Sequence, residues 1–339
     1  MPAGQNRPAA FRRPPGTSSP GRLPSLAVSL LAGIPLAAGC GGSDAGASGS
    51  PALTPGRARQ VVAEYAATVG QAGDRLDASL LPKVETDPQR TMDTAAVRLR
   101  QVSGARTGLL KFSQVSVIVP RLSGYPRWFA ASAVSGSGKG ALRHALLFTQ
   151  EKADAPWLLA ADPFPTGSSL DHVALDRDGY ATAVAASSGK GLAMSPGALP
   201  AAHAALLNEG PRAAGADRLA PGPRTTEAFA ALRRVEAGLR KSGVTLSSRF
   251  EPGSAQVRAL RTRDGGAVVW YVLKQREAYS AAKKGKLTVT GDLVGLAPPS
   301  SVSTRMDTTV LIQYLATVPA HGRAGVSGMY RKAVAASGR

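Results

Sequence analysis

Side chains suited to metal binding or nucleophilic chemistry are few and scattered in this sequence. The chain of 339 residues holds one cysteine and four histidines, and the histidines are His144, His172, His203 and His321. Structural zinc sites draw on cysteines and histidines spaced a few residues apart, and no two of these histidines lie within five residues of each other. Local spacing therefore excludes a zinc finger, and the sequence predicts neither a metal site nor a cofactor.

Two glycine-rich segments were compared with catalytic and phosphate-binding loops. They read Ser-Gly-Ser-Gly-Lys-Gly at 135–140 and Ser-Ser-Gly-Lys-Gly at 187–191. A nucleophile elbow needs Gly-x-Ser-x-Gly between a strand and a helix, and a phosphate loop needs Gly-x-x-x-x-Gly-Lys-Ser/Thr at the start of a helix. Neither segment has such a pattern. Both are predicted to be turns, and no catalytic residue is assigned.

The N-terminal segment predicts export. The first 39 residues contain four arginines and no acidic side chain, and an apolar run from Leu23 to Ala38 ends in small residues. A positive start, an apolar centre and a small-residue end are typical of a secretory signal peptide. The run is shorter than the ~20 residues of a spanning helix, and Pro24 and Pro35 interrupt it. We therefore expect a signal peptide over residues 1–39.

The end of this segment, Leu36-Ala37-Ala38-Gly39-Cys40, resembles the lipobox of bacterial lipoproteins. The resemblance implies cleavage between Gly39 and Cys40 and a diacylglycerol on the Cys40 thiol. Cys40 is the only cysteine, so an intrachain disulfide is excluded. Acyl chains anchor stably when two are present, at about 0.8 kcal/mol per buried methylene. The predicted location is the outer face of the cell membrane, with membrane lipid as the partner of Cys40.

Two alternatives stay open at this stage. The chain could be secreted without an anchor, in which case Cys40 is incidental. Export could also use the twin-arginine route through Arg12-Arg13, although Pro14-Pro15 stand where that motif has a hydrophobic pair.

The formal net charge is +19, and beyond the N-terminal segment it is uneven: residues 41–165 carry +4 and residues 166–339 carry +11. Such a positive electrostatic field attracts anionic partners. At the outer face of the cell membrane, these are lipid head groups or wall polymers. Nucleic acid is not predicted, because no recognition motif is present.

Beyond the signal peptide, the composition and periodicity predict a tether and two α+β domains. Residues 40–56 are rich in Gly, Ser, Ala and Pro, which is typical of a flexible linker. The first domain is predicted at 57–165 and the second at 166–335, each with helices followed by antiparallel strands. The predicted helices are 61–69, 76–81, 88–102, 201–207 and 225–243. The predicted strands are 115–119, 127–134, 141–150, 157–161, 244–250, 256–262, 267–275, 287–294 and 308–318.

This order of elements resembles the nuclear-transport-factor-2-like or cystatin-like cone, in which helices close a curved antiparallel sheet around a pocket. The segments Gly124-Tyr125-Pro126-Arg127-Trp128-Phe129 and Trp157-Leu158-Leu159 are also similar to a family of actinobacterial lipoproteins with a domain of unknown function. The resemblance implies two consecutive cone-like units. It implies no activity.

Enzymes of the cone fold pair an acid with a tyrosine in an apolar pocket. The tyrosines that could serve are Tyr65, Tyr125, Tyr271 and Tyr314, and the acids are Glu64 and Asp307. No spacing brings a pair together, so a non-catalytic binding or scaffolding module is favoured. A small-molecule binder and a pocket isomerase or hydrolase remain as alternatives. A filled cone would favour scaffolding, an open apolar cavity without acids would favour ligand carriage, and a buried acid bonded to a pocket tyrosine would favour an enzyme.

The anchor can be tested directly at Cys40. Cys40→Ala is expected to abolish incorporation of radioactive palmitate and to release the protein from the membrane fraction, because the variant has no thiol to acylate. Ser43→Ala, a change in the same predicted tether, should leave both unchanged. Unaltered membrane retention of Cys40→Ala would contradict the lipid anchor.

Overall fold

The computed structural model describes residues 49–105, 109–284, 287–297 and 302–339. The predicted signal peptide and Cys40 lie outside these ranges, so lipidation stays a prediction. These described residues form one compact unit. Its helices and antiparallel sheets confirm the predicted α+β class.

The described residues contain four α-helices and thirteen strands. The helices are α1 (Pro55–Arg75), α2 (Gln89–Ser103), α3 (Leu199–Glu209) and α4 (Thr226–Lys241). The strands are β1 (Ser50–Pro51), β2 (Phe112–Ile118), β3 (Pro120–Leu122), β4 (Arg127–Ser135), β5 (Leu142–Gln150), β6 (Leu158–Ala161), β7 (Phe164–Pro165), β8 (Ala181–Thr182), β9 (Val244–Pro252), β10 (Arg258–Arg261), β11 (Ala267–Ala281), β12 (Arg305–Val318) and β13 (Gly325–Gly338). The end of the predicted tether overlaps β1, which pairs with β3.

Helix α1 is longer than its sequence pattern predicts. It begins after the capping residue Thr54, with Pro55 in the first turn, where a missing N–H costs nothing. The pattern places its end at Gly70, but the helix continues to Leu76, which closes it in the left-handed conformation. Gly70 has a different role. A Cβ there would lie 3.0 Å from the backbone nitrogen of Leu110, so glycine permits the chain before β2 to approach the helix.

Strands β2, β4, β5 and β6 form the first sheet, and all its neighbours are antiparallel. Successive side chains of a strand point to opposite faces. In β4, Phe129 and Ala131 face α1 and pack in one cluster with Tyr65. Trp128 and Ala130 face the other way, into a separate cluster. The sheet is therefore apolar on both faces.

Strands β10, β11, β12, β13 and β7 form the second sheet in that order, and β9 pairs with another part of the long strand β11. The predicted strand at 287–294 is wrong: its alternation stops at Gly291, where a short 3-10 helix begins, and it pairs with no strand of the sheet. The sequence reading also missed β13. Glycines and alanines interrupt its hydrophobic alternation, and pairing along β12 defines it as a strand.

The two sheets pack face to face. Trp128 and Leu147 of the first sheet share a buried cluster with Leu260, Trp270 and Leu315 of the second. The residues of this cluster come from both sides of the predicted domain boundary between residues 165 and 166. The pairing of β7 with β13 also joins the two sides of that boundary. The division into two domains stays a prediction.

The far face of the second sheet is covered by helices. Val269 and Leu273 of β11 pack with Leu199 and Leu206 of α3, and Phe229 of α4 lies against the same cluster. The layers thus run from α1 through the first and second sheets to α3 and α4.

One hydrogen bond ties the two sheets together at their shared core. The indole N–H of Trp270 donates to the carbonyl oxygen of Ala145 at 2.9 Å. Trp270→Phe is expected to lower the free energy of unfolding by about 1 kcal/mol more than Trp128→Phe does, because only the former strands a buried acceptor. Trp128 is a matched control, since it is equally buried in the same cluster. Guanidinium unfolding of both variants measures the difference, and equal losses would contradict a role for this bond.

Candidate active site

A cavity of about 730 Å³ opens beside α1 and α2, at the edges of both sheets. Its walls combine aromatic rings with polar groups. The aromatic residues are Tyr65, Phe112, Phe164 and Tyr330. The polar and charged residues include Gln89, Asp93, Arg100, Lys111, Ser135 and Asp162. A cavity of this size and mixed lining is typical of small-molecule sites.

A serine, a histidine and an aspartate form a hydrogen-bonded row at one wall of the cavity. Ser135 Oγ lies 2.8 Å from His144 Nε2, and His144 Nδ1 lies 2.7 Å from Asp162 Oδ2. The register of β4 and β5 sets the first contact. His144 pairs with Ala133, and Ser135 lies two residues further along β4, hence on the same face. Asp162 directly follows β6, which pairs with β5.

The surroundings of His144 fix its orientation and its tautomer. A carboxylate only accepts hydrogen bonds, so Nδ1 carries the proton towards Asp162 and Nε2 accepts from the Ser135 hydroxyl. Phe112 and Phe164 pack edgewise on the imidazole, with ring centroids 4.9 and 5.2 Å away. His144 and Asp162 are each only 5% exposed. The row therefore runs from half-buried Ser135 on the cavity wall, through buried His144, to Asp162, which is buried and also borders the cavity.

Asp162 is held in turn by a network that reaches the second sheet. Its backbone N–H donates to Gln313 Oε1 at 2.7 Å, and Gln313 Nε2 donates to Gln89 Oε1 at 2.9 Å. Gln89 Nε2 donates to Asp93 Oδ2 at 2.9 Å, and the Tyr330 hydroxyl donates to Asp93 Oδ1 at 3.0 Å. Residues of α2, β12 and β13 thus complete a site whose serine and histidine belong to the first sheet.

The carboxyl groups in this network differ in protonation. Burial raises the pKa of Asp162, and the contact with His144 opposes that shift. Glu85 is fully buried, and neither of its carboxyl oxygens accepts a hydrogen bond from the described residues. Burial first, and the charge of Asp93 next, raise the pKa of Glu85 well above its ordinary value. Glu85 is therefore an uncharged acid at neutral pH, and as such it can donate a hydrogen bond to Asp93.

Of the tyrosines and acids considered in the sequence, only Tyr65 lines this cavity. Tyr271 and Tyr314 stack on each other in the core between the second sheet and α3. His203 lies beside them, with Nδ1 2.8 Å from the Tyr271 hydroxyl. Burial lowers the pKa of His203 to about 4, so it is a neutral core residue.

The other candidates lie at the surface: Glu64, Tyr125, His172, Asp307 and His321. The glycine-rich segment at 135–140 joins β4 to β5 and contains a short 3-10 helix at Gly138–Gly140, and the segment at 187–191 is an irregular loop with turns.

The acid–tyrosine pair expected of an enzyme pocket is present, but in residues that the sequence reading missed. Asp93 and Tyr330 form it, on α2 and on the unpredicted strand β13. One signal was available for the serine and histidine. The predicted hairpin over 127–150 brings Ser135 and His144 together across its turn. No local pattern marks Asp162, because its neighbours in the site are distant in sequence.

Among the described residues, no group of three or more His, Cys, Asp or Glu side chains is arranged to hold a metal ion. No helix of the same ranges has the length and apolar content required to cross a membrane.

Glu85 makes the stability of the fold depend on pH. Its raised pKa means that the folded chain keeps a proton that the unfolded chain releases above the ordinary carboxyl pKa, so stability falls as pH rises. Glu85→Gln is expected to match the wild type near pH 5 and to exceed it increasingly towards pH 8, by at most about 1.4 kcal/mol per pH unit. Glu209→Gln, on the exposed end of α3, is the control and should show no such trend. Parallel pH profiles of wild type and Glu85→Gln in urea unfolding would contradict the protonated acid.

Three relatives of the chain carry the name of uncharacterized lipoproteins. One, from Streptomyces avermitilis, is 32% identical over 183 residues, which are 53% of this chain and 52% of that protein, so the chain spans about half its length. Two others come from Streptomyces coelicolor. They are 26% identical over 243 residues (70% of this chain, 68% of the relative) and 24% identical over 285 residues (82% and 84%).

These matches confirm the resemblance to Streptomyces lipoproteins. No solved structure matches the chain, so the likeness to the cone fold stays a prediction. Residues 49–338, nearly the whole described part, match the sequence model of a family described as a domain of unknown function, DUF8094. The chain therefore belongs to that family.

Proposed function

We propose that this chain is a lipid-anchored extracytoplasmic protein whose cavity binds a small molecule with an apolar body and an anionic group. The signal-like segment ending at Cys40 and the lipoprotein names of three relatives support the anchored location. The observation that carries the binding role is the open cavity of about 730 Å³.

The lining of the cavity supports a ligand with an apolar body. Val69, Leu109 and Leu110 line it together with the aromatic rings. Leu109 is 62% exposed, so its side chain offers apolar surface that a ligand could cover. A ligand in the cavity would bury this surface, at about 25 cal/mol for each Å² removed from water.

The charges support an anionic group on that ligand. Arg100 and Lys111 line the cavity, and neither forms an ion pair within the described ranges. The carboxyl groups on the cavity wall have partners within the protein: Asp162 contacts His144 through Oδ2, and Asp93 accepts from Gln89 and Tyr330. Arg100 and Lys111 are therefore the charged groups proposed to meet an anionic ligand.

Binding of a ligand is better supported than scaffolding. A filled interior would have favoured a scaffold, whereas the cavity is open and lined by polar groups held in fixed positions. The net charge of +19 supports an additional attraction to anionic lipid head groups or wall polymers near the anchor.

An aromatic anion, 8-anilinonaphthalene-1-sulfonate, tests the proposed site in the mature chain carrying Cys40→Ala. Its fluorescence titration should report saturable binding, and Arg100→Glu with Lys111→Glu should weaken that binding by about tenfold, or about 1.4 kcal/mol. Lys152→Glu reverses one charge, half the change of the double variant, in the exposed turn after β5, and should leave affinity within twofold because salt screens an exposed charge away from the site. Equal losses in the two proteins, or no loss in the double variant, would contradict a cationic ligand site at the cavity.

A further inference from the structure

We propose that Ser135, His144 and Asp162 form a catalytic triad that hydrolyses a carboxylic ester bound in the cavity. The proposal rests on the proposed function only for where the substrate lies, since the chemistry belongs to the three side chains themselves. Nothing in the family description or in the names of the relatives assigns an activity to these residues.

The geometry matches the roles that such a triad requires. The nucleophile must lie within hydrogen-bond reach of its base, and a carboxylate must hold the other nitrogen of that base. The contacts of 2.8 Å from Ser135 Oγ to His144 Nε2, and of 2.7 Å from His144 Nδ1 to Asp162 Oδ2, meet both conditions. Triads are recognised by geometry and not by sequence order, so the order Ser, His, Asp is no objection.

The exposure of the three side chains to solvent also fits their proposed roles. Ser135 is half-buried and lines the cavity, where a substrate can reach its hydroxyl. His144 is buried behind it against Phe112 and Phe164, and Asp162 is a buried residue of the cavity wall. If the histidine were only a core residue needing a hydrogen bond, its serine partner would not have to open onto a cavity.

The turn after Ser135 supplies donors for the oxygen that becomes negative during attack. Gly136 has a φ of +71°, and a Cβ on it would lie 2.7 Å from the carbonyl oxygen of Gly140, so this tight turn requires glycine. The backbone N–H groups of Gly136 and Ser137 make no hydrogen bond within the described residues. Donors of this kind beside the nucleophile stabilise the oxyanion of acyl transfer.

The reaction proceeds in two balanced halves. The Ser135 hydroxyl gives its proton to His144 Nε2 while Oγ bonds to the acyl carbon. The ester C–O bond then breaks, and the leaving alcohol takes the proton from Nε2. In the second half, water gives a proton to His144 and adds to the acyl carbon. The Ser135–acyl bond breaks, and Oγ recovers the proton, which releases a carboxylic acid.

A fluorophosphonate probe tests the nucleophile in the mature chain carrying Cys40→Ala. We expect one probe adduct per chain, mapped by mass spectrometry to Ser135, and slow turnover of p-nitrophenyl acetate. Ser135→Ala should abolish the adduct and lower the ester rate by at least about 10³-fold. Ser113→Ala, which changes another serine of the cavity wall, should keep both within a fewfold.

Several results would overturn the proposal: no adduct on folded wild-type protein, an adduct on another residue, or an ester rate unchanged in Ser135→Ala. Mapping of the adduct on the wild type decides the question even if a variant fails to fold, and thermal unfolding reports on each variant. Dye binding separates this proposal from the proposed ligand site. Ser135→Ala should bind 8-anilinonaphthalene-1-sulfonate like the wild type, whereas the Arg100 and Lys111 variants should still label at Ser135.

Discussion

The face-to-face packing of the two sheets is the constraint on which the rest of the structure depends. Each sheet is apolar on both sides, so neither could be covered by its own helices alone. Burying Trp128 against Trp270 and Leu315 satisfies both inner faces at once. The same packing sets the edge of β13 beside the first sheet, where β7 pairs with it. The polar network lies at this edge, close enough to both sheets to draw side chains from each.

The network sits where uncompensated charge would be costly. Buried carboxylates destabilise a fold unless donors surround them or a proton neutralises them. The site uses both means. Asp162 faces His144, Asp93 accepts from Tyr330 and Gln89, and Glu85 keeps its proton. Because these hydrogen bonds and this proton already stabilise the buried carboxyl groups, no further side chain has to fill the cavity beside them. The open cavity is therefore compatible with a stable core.

The sequence was informative where the decisive contacts are local. The turns at 124–126 and 136–140 located β4 and β5, and helical spacing located α2 to within one residue of its ends and the central part of α1. It failed where the contacts are distant. Gly70 looks like a helix end until Leu110 is seen against it, and β13 is a strand because β12 lies beside it. The site was predictable only in part. The predicted hairpin implies that Ser135 and His144 are close, but Asp162 and Asp93 lie outside that hairpin.

The position of β13 near the C-terminal end of the chain determines when the contacts of the site can form during folding. Tyr330 meets Asp93 across 237 residues of sequence, and Gln313 meets Gln89 across 224. Contacts between such distant residues form late, since the intervening chain must first be arranged. During synthesis, the hairpin with Ser135 and His144 emerges long before β12 and β13. The hydrogen bonds of Gln313 and Tyr330, which tie the two sheets together at the cavity, therefore form only when these last strands have docked.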